Sequence, residues 1–244
     1  KLTTTAAASA EDVARAVASA RAAFDSGRWS RMAPAARKAV LHRLADLIDK
    51  HALDLAVLGV RDNGTDIGMA LKAEPGSAAG TFRYYAEAID KVYGEIAPTA
   101  ENILALVHRE AVGVVAAIVP WNFPLMIGAW KIAPALAMGN SIVLKPAETA
   151  SLTLIRLAEL ALEAGVPPGV FNVVHGFGPD SAGEFITTHP LVDGVTFKLY
   201  APTPSSSSTV DGVTTTTYTP AWIDLTRDTS VITAKVEALV KAYN

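Results

Sequence analysis

Two short segments carry side chains whose types and positions suit chemistry. Pro120-Trp121-Asn122-Phe123-Pro124 lies between two apolar runs. The side-chain amide of Asn122 can donate a hydrogen bond to an oxyanion developing on a tetrahedral adduct, and one such donor is typically worth about 3 kcal/mol of barrier. The plainer alternative is a buried Asn capping the helix that follows. Lys145-Pro146-Ala147-Glu148 follows the next apolar run. If that run is a parallel strand, its carboxyl end is where ligands bind in open α/β sheets, and Glu148 can accept from the hydroxyls of a ribose. A solvated Lys and Glu opening a helix compete with that reading. Trp121 and Phe123 suit the wall of a pocket, although bare aromatics are more often core. His175 and His189 have no metal-ligand spacing to each other and read as loop histidines, so no metal centre is expected.

These residues need elements to hold them. Ser9 followed by Asp12 marks a helix start of capping-box type, and Val13, Ala16, Val17 and Ala20 recur at helical spacing, with the helix ending near Phe24. Val40, Leu41, Leu44, Leu47 and Ile48 form the apolar stripe of a second helix. Asn63-Gly64 marks a turn, and a further helix is expected over 78–92. Leu104 to Val107 and Val112 to Val119 are β-prone, the second apolar on both faces. An alternation follows: strand 141–144, helix 151–164, strand 170–174, a short helix from Ser181 and strand 194–197. Such a βαβαβ series requires a parallel sheet with helices on its faces, so the fold class is α/β, a Rossmann-like doubly wound sheet behind N-terminal helices.

Half of the 244 residues are hydrophobic, enough for a substantial core, and the formal net charge of -3 gives no basic field for nucleic acid. From Ala111 to Trp130 there is no charged residue, yet Pro120, Asn122 and Pro124 in its middle argue for a strand, a loop and a buried helix rather than a membrane span. No basic segment followed by an apolar run opens the chain, so the cytoplasm is the expected compartment. There is no cysteine, which removes disulfides, thiolate metal sites and a cysteine nucleophile from these residues. Beyond Phe197 the composition turns to Pro, Ser and Thr, so 198–220 reads as a linker after a domain spanning 1–197. The remainder, 221–244, carries an amphipathic helix with Val231, Ile232, Val236, Leu239 and Val240 on one side.

The order and spacing of the PWNFP and KPAE segments resemble the aldehyde dehydrogenase superfamily. So do the flanking stretches Val112-Gly-Val-Val, Lys131 to Asn140, Gly165 to Val174 and Gly176-Phe-Gly-Pro179, and the likeness runs from about Thr5 to Phe197. The resemblance implies NAD-dependent oxidation of an aldehyde to a carboxylate, with Asn122 as oxyanion donor. By the same resemblance Lys145 and Glu148 hold the adenosine ribose, and a carboxylate there repels the extra phosphate of NADP. Ile118, Pro120, Trp121, Pro146, Gly178, Pro179 and Gly183 complete the implied cofactor site, although the segment from Gly178 to Gly183 carries one more residue than the common spacing. Arg83 to Pro98 looks like members that oxidise γ-glutamyl- or guanidino-butyraldehyde. Ala105 to Arg109 resembles the family's oligomerisation hairpin, which implies a homo-oligomer or a partner.

The chain also departs from the family. Where members continue from such a strand into Thr-Gly-Ser and a pyrophosphate-binding helix, this one reads Lys198-Leu199-Tyr200-Ala201-Pro202, so NAD binding is expected to be weak or lost. The family's glutamate base and cysteine nucleophile have no counterpart here. The expectation is a partial aldehyde dehydrogenase fold, truncated after Phe197 and inactive alone. A non-catalytic interaction or oligomerisation protein that keeps the fold is the alternative.

Overall fold

The computed structural model describes residues 3–102, 104–196, 205–210 and 213–218. Residues up to Lys198 form one unit and those from Leu199 another. In the first, four parallel strands build one sheet in the order β5-β4-β3-β6, with β3 at Val114–Ile118, β4 at Ser141–Lys145, β5 at Phe171–Val173 and β6 at Gly194–Thr196. The chain steps outward from β3 through β4 to β5, then returns to the other side of β3. The switch point of this doubly wound sheet is therefore between β3 and β6, and the crevice beyond its carboxyl ends is where such folds bind ligands.

Strand residues alternate between two cores. Ala117, Ile142 and Leu144 face the larger one, while Val114, Ala116 and Val143 face the smaller. The larger is covered by α2 (Pro34–Lys50), α3 (Ala52–Asn63), α4 (Ile67–Ala88), α5 (Pro124–Ala137) and α6 (Leu152–Ala164). The smaller is covered by α1 (Ala10–Asp25) and α7 (Ala182–Thr187). A sheet apolar on both faces must be covered on both, which explains why β3 and β4 read as continuous apolar runs.

Ser9 caps α1 with the reciprocal Asp12 bond expected of the sequence. Asn63-Gly64 closes α3, with Gly64 left-handed at φ 77°. The expected helix over 78–92 is corrected at both ends: α4 begins at Ile67, runs through Pro75 and Gly76, and stops at Ala88 before a 3-10 turn. Pro-Gly normally ends a helix, but Ala70, Ala78, Ala79 and Phe82 bury one continuous face, and that packing outweighs the local break. The uncharged run 111–130 divides into β3, a loop and the start of α5, and no helix among the described residues is long and apolar enough to cross a membrane.

Two antiparallel pairs complete the description. β1 (Glu95–Ala97) pairs with β2 (Ala105–Val107) and leaves Ile96, Leu104 and Leu106 exposed. Within the stretch expected to be a linker, β7 (Ser205–Val210) pairs with β8 (Val213–Tyr218), from Ser205 opposite Tyr218 to Val210 opposite Val213. β-branched threonines favour strand, and the intervening Asp-Gly sequence is a strong hairpin signal. The amphipathic helix expected within 221–244 lies outside the described residues, as do Phe197 to Pro202.

Candidate functional site

The sheet register gathers most of the residues singled out above. Ile118 stands opposite Lys145 at the carboxyl ends of β3 and β4, and Val119 N–H continues the ladder by donating to the Lys145 carbonyl at 3.0 Å. The chain then leaves β3 through Pro120, Trp121 and Asn122, and leaves β4 through Pro146, Ala147 and Glu148. The segment after β5 arrives beside them, because Val174 N–H donates to Leu144 O at 2.9 Å. All three loops therefore emerge at the edge where the topology predicts a ligand.

Lys145 is 4% exposed and its ammonium donates to the carbonyls of Pro146 at 2.9 Å and Gly176 at 2.8 Å. It thus ties the loop after β4 to the loop after β5. Glu148 is exposed, with its carboxylate 3.8 Å from the ammonium. An ammonium has three donors, so two are engaged by backbone and one remains for a ligand or for Glu148. Burial lowers the Lys145 pKa from its ordinary value, with Glu148 opposing. Burial, then the neighbouring Lys145 charge, lowers that of His175. The lysine is neither solvated nor at a helix start, since α6 begins only at Leu152.

The third loop is built on close backbone contacts. The carbonyls of Phe177 and Gly178 accept from the amides of Gly183 and Glu184 at 2.9 and 3.0 Å. A Cβ at Gly183 would lie 2.9 Å from Gly178 Cα and 3.0 Å from Phe177 O, so only glycine allows this approach. Asp180 takes left-handed backbone at φ 50°, with its amide bonded to Glu184 Oε2 at 2.8 Å. Gly178 and Pro179 are exposed and Gly183 is buried beneath them.

Asn122 is half-buried, and the residue that caps α5 is Phe123, with no side-chain capping bond. The helix-capping alternative for Asn122 is therefore not realised, and among the described residues its amide is engaged in no hydrogen bond. Phe123 itself sits at φ 49°, a left-handed conformation that costs a bulky residue about 1–3 kcal/mol and persists only where the surroundings fix it. Trp121 is 63% exposed, and its carbonyl accepts from Asn63 Nδ2 at 3.5 Å.

The sequence reading missed a residue here. Glu74, 3% exposed on α4, accepts from Leu125 N–H at 2.9 Å and from Met126 N–H. Pro124 has no N–H, and Ile127 N–H already donates to Phe123 O, so these are the free amides of the first turn of α5. Burial raises the Glu74 pKa while the two amides pull it back. At the opposite end Arg37 Nε donates to Ala137 O at 3.0 Å and Trp29 Nε1 to Leu136 O at 3.0 Å. A buried anion at the amino end and a buried cation at the carboxyl end both complement the helix dipole. Glu74 falls four residues after Ala70 and four before Ala78 on the buried face of α4, and a charge in that stripe is the signal that would have exposed it.

Ser77, Gly80, Thr81, Tyr84 and Tyr85 of α4, with Trp130 of α5, line a groove of about 350 Å³. The Tyr84 and Tyr85 rings meet edge to face, with centroids 5.1 Å apart.

A parallel sheet with a switch point, and with the Asn122, Lys145–Glu148 and Gly176–Gly183 loops at its carboxyl edge, is the arrangement in which open α/β folds bind ligands. Comparison with known proteins gives the family directly: residues 1–198 match the model of the aldehyde dehydrogenase family, and the chain belongs to it. It is 53% identical over 186 residues to the NADP/NAD-dependent aldehyde dehydrogenase PuuC of Escherichia coli, covering 76% of this chain and 37% of that protein. It is 52% identical over 192 residues to aminoacetaldehyde dehydrogenase of Pseudomonas aeruginosa, covering 79% and 38%. Among solved structures, indole-3-acetaldehyde dehydrogenase in complex with NAD+ superposes with a TM-score of 0.77 at 52% identity, covering 78% of this chain and 38% of that one. The chain thus spans under two fifths of the length of these curated relatives.

Proposed function

We propose that residues 5–197 supply the adenosine-binding and oxyanion-donating part of an NAD-dependent oxidoreductase acting on an aldehyde. The observation that carries this is the meeting of the Asn122, Lys145–Glu148 and Gly176–Gly183 loops at the carboxyl edge of one parallel sheet. NAD supplies the hydride acceptor when bound. Glu148 would accept from the ribose hydroxyls, and the third Lys145 donor would reach the same sugar. Ile118, Pro120, Trp121 and Pro146 would form walls of the site, with Gly178, Pro179 and Gly183 beside the adenine and pyrophosphate. Asn122, whose amide makes no hydrogen bond among the described residues, would donate to the oxyanion of the aldehyde adduct.

Covalent oxidation of this class needs a thiolate and a carboxylate to activate the deacylating water. With no cysteine in the 244 residues, no thiohemiacetal forms on them, and they produce no NADH from an aldehyde by the family route. The departure at Lys198–Pro202 from a pyrophosphate-binding turn points to weak cofactor affinity. An aminoaldehyde is the substrate class, supported by the Arg83–Pro98 resemblance and by the name of the Pseudomonas relative. Exposed Ile96 and Leu106 on the β1–β2 hairpin support a homo-oligomer or a partner, and the cytoplasm remains the proposed compartment.

Calorimetric titration of NAD into the wild-type chain and Glu148→Ala tests this. A charge-assisted bond at a half-exposed position is worth about 1–2 kcal/mol after solvent screening, roughly 5- to 30-fold in Kd. Saturable binding weakened to that extent supports the reading. Equal affinity in both proteins removes Glu148 from the site, and binding by neither favours an interaction protein that has kept the fold.

A further inference from the structure

Among the described residues the Asn122 side-chain amide makes no hydrogen bond. Its position depends on the backbone anchors on either side. Towards the strand, Val119 N–H is bonded to Lys145 O. Towards the helix, Phe123 is in left-handed backbone and Pro124 opens α5. The first side-chain anchor in that direction is the Glu74 carboxylate on the amides of Leu125 and Met126. Glu74 reaches them from the buried face of α4, where it is 3% exposed. Shielded from water, its carboxylate has these two amides as its hydrogen-bond donors among the described residues.

We propose that Glu74 is a positioning residue for Asn122, acting from α4 as the amino-terminal cap of α5 and thereby holding Phe123 in the left-handed turn that places the amide. This rests on the reading of Asn122 as oxyanion donor, but the clamp itself is testable without that chemistry. The same helix is gripped at its far end by Arg37, which supplies a control: it stabilises α5 equally directly and lies away from Asn122.

The experiment compares isotope-labelled wild-type chain with Glu74→Ala, Glu74→Gln and Arg37→Gln by amide NMR. The expected result is that the Leu125 and Met126 amide protons move upfield and the Asn122 side-chain amide resonances shift in both Glu74 variants. The shift is larger in Glu74→Ala, because glutamine keeps one acceptor oxygen. Arg37→Gln lowers the unfolding midpoint yet leaves Asn122 unmoved. Unchanged Asn122 resonances in a folded Glu74 variant overturn the proposal, as does an equal shift in Arg37→Gln, which would mark general loosening. Should Glu74→Ala fail to fold, Glu74→Gln carries the comparison alone. NAD titration of the wild-type chain bears on the cofactor reading separately: no binding with Asn122 still shifting in the Glu74 variants retains the clamp and discards the role.

Discussion

Replacing Lys145 by Met should cost stability and cofactor affinity together. The ammonium is buried and makes two hydrogen bonds, to Pro146 O at 2.9 Å and Gly176 O at 2.8 Å. Bonds from a charged donor contribute about 1.5–3 kcal/mol each, and their loss leaves two carbonyls short of a partner. Against this, Met removes the desolvation cost of a buried charge, which burial's lowering of the Lys145 pKa shows to be real. Since two bonds outweigh a partial desolvation, the net loss should be about 2–4 kcal/mol. For a chain of this size a urea slope of about 2–3 kcal/mol/M turns that into a midpoint lowered by roughly 1 M. Urea unfolding followed by fluorescence measures it. An unfolding midpoint equal to or above wild type would show that desolvation exceeds the two bonds, and the description of Lys145 as a tie between the two loops would be wrong.

Two further outcomes follow from the same contacts. Gly183→Ala places a methyl 2.9 Å from Gly178 Cα and 3.0 Å from Phe177 O, so the backbone must shift. Thermal unfolding should drop by about 1–3 kcal/mol in stability, and any NAD binding measured by calorimetry should weaken further than stability alone explains. The Glu74 carboxyl has a native pKa raised above its ordinary 4.5. It binds more protons folded than unfolded between those two values, so stability falls as pH rises through that window. Urea midpoints of wild type minus those of Glu74→Gln should show that decline, and a flat or rising difference would contradict the burial assigned to Glu74.

Much of this protein was legible in its sequence because the signals are local. Ser9 with Asp12 marks a helix start by chemistry within one turn, and the apolar runs at β3 and β4 reveal strands buried on both faces. The PWNFP and KPAE segments identified the family from residue types at fixed spacing. Elements governed by distant contacts were less legible. Pro75-Gly76 reads as a break, yet α4 continues through it because the helix buries a face that no local rule weighs. Glu74 shows in the sequence only as a charge within an apolar stripe, and its role stays hidden there because its partners, Leu125 and Met126, lie about fifty positions away. Lys145 was expected to face a ribose, and only the packing of the β5 loop beside β4 shows two of its three donors committed to backbone. The sequence by itself determined which side chains could serve the chemistry. The tertiary structure decided which remain free to do so, since hydrogen-bond capacity is finite and its allocation depends on groups that meet only on folding.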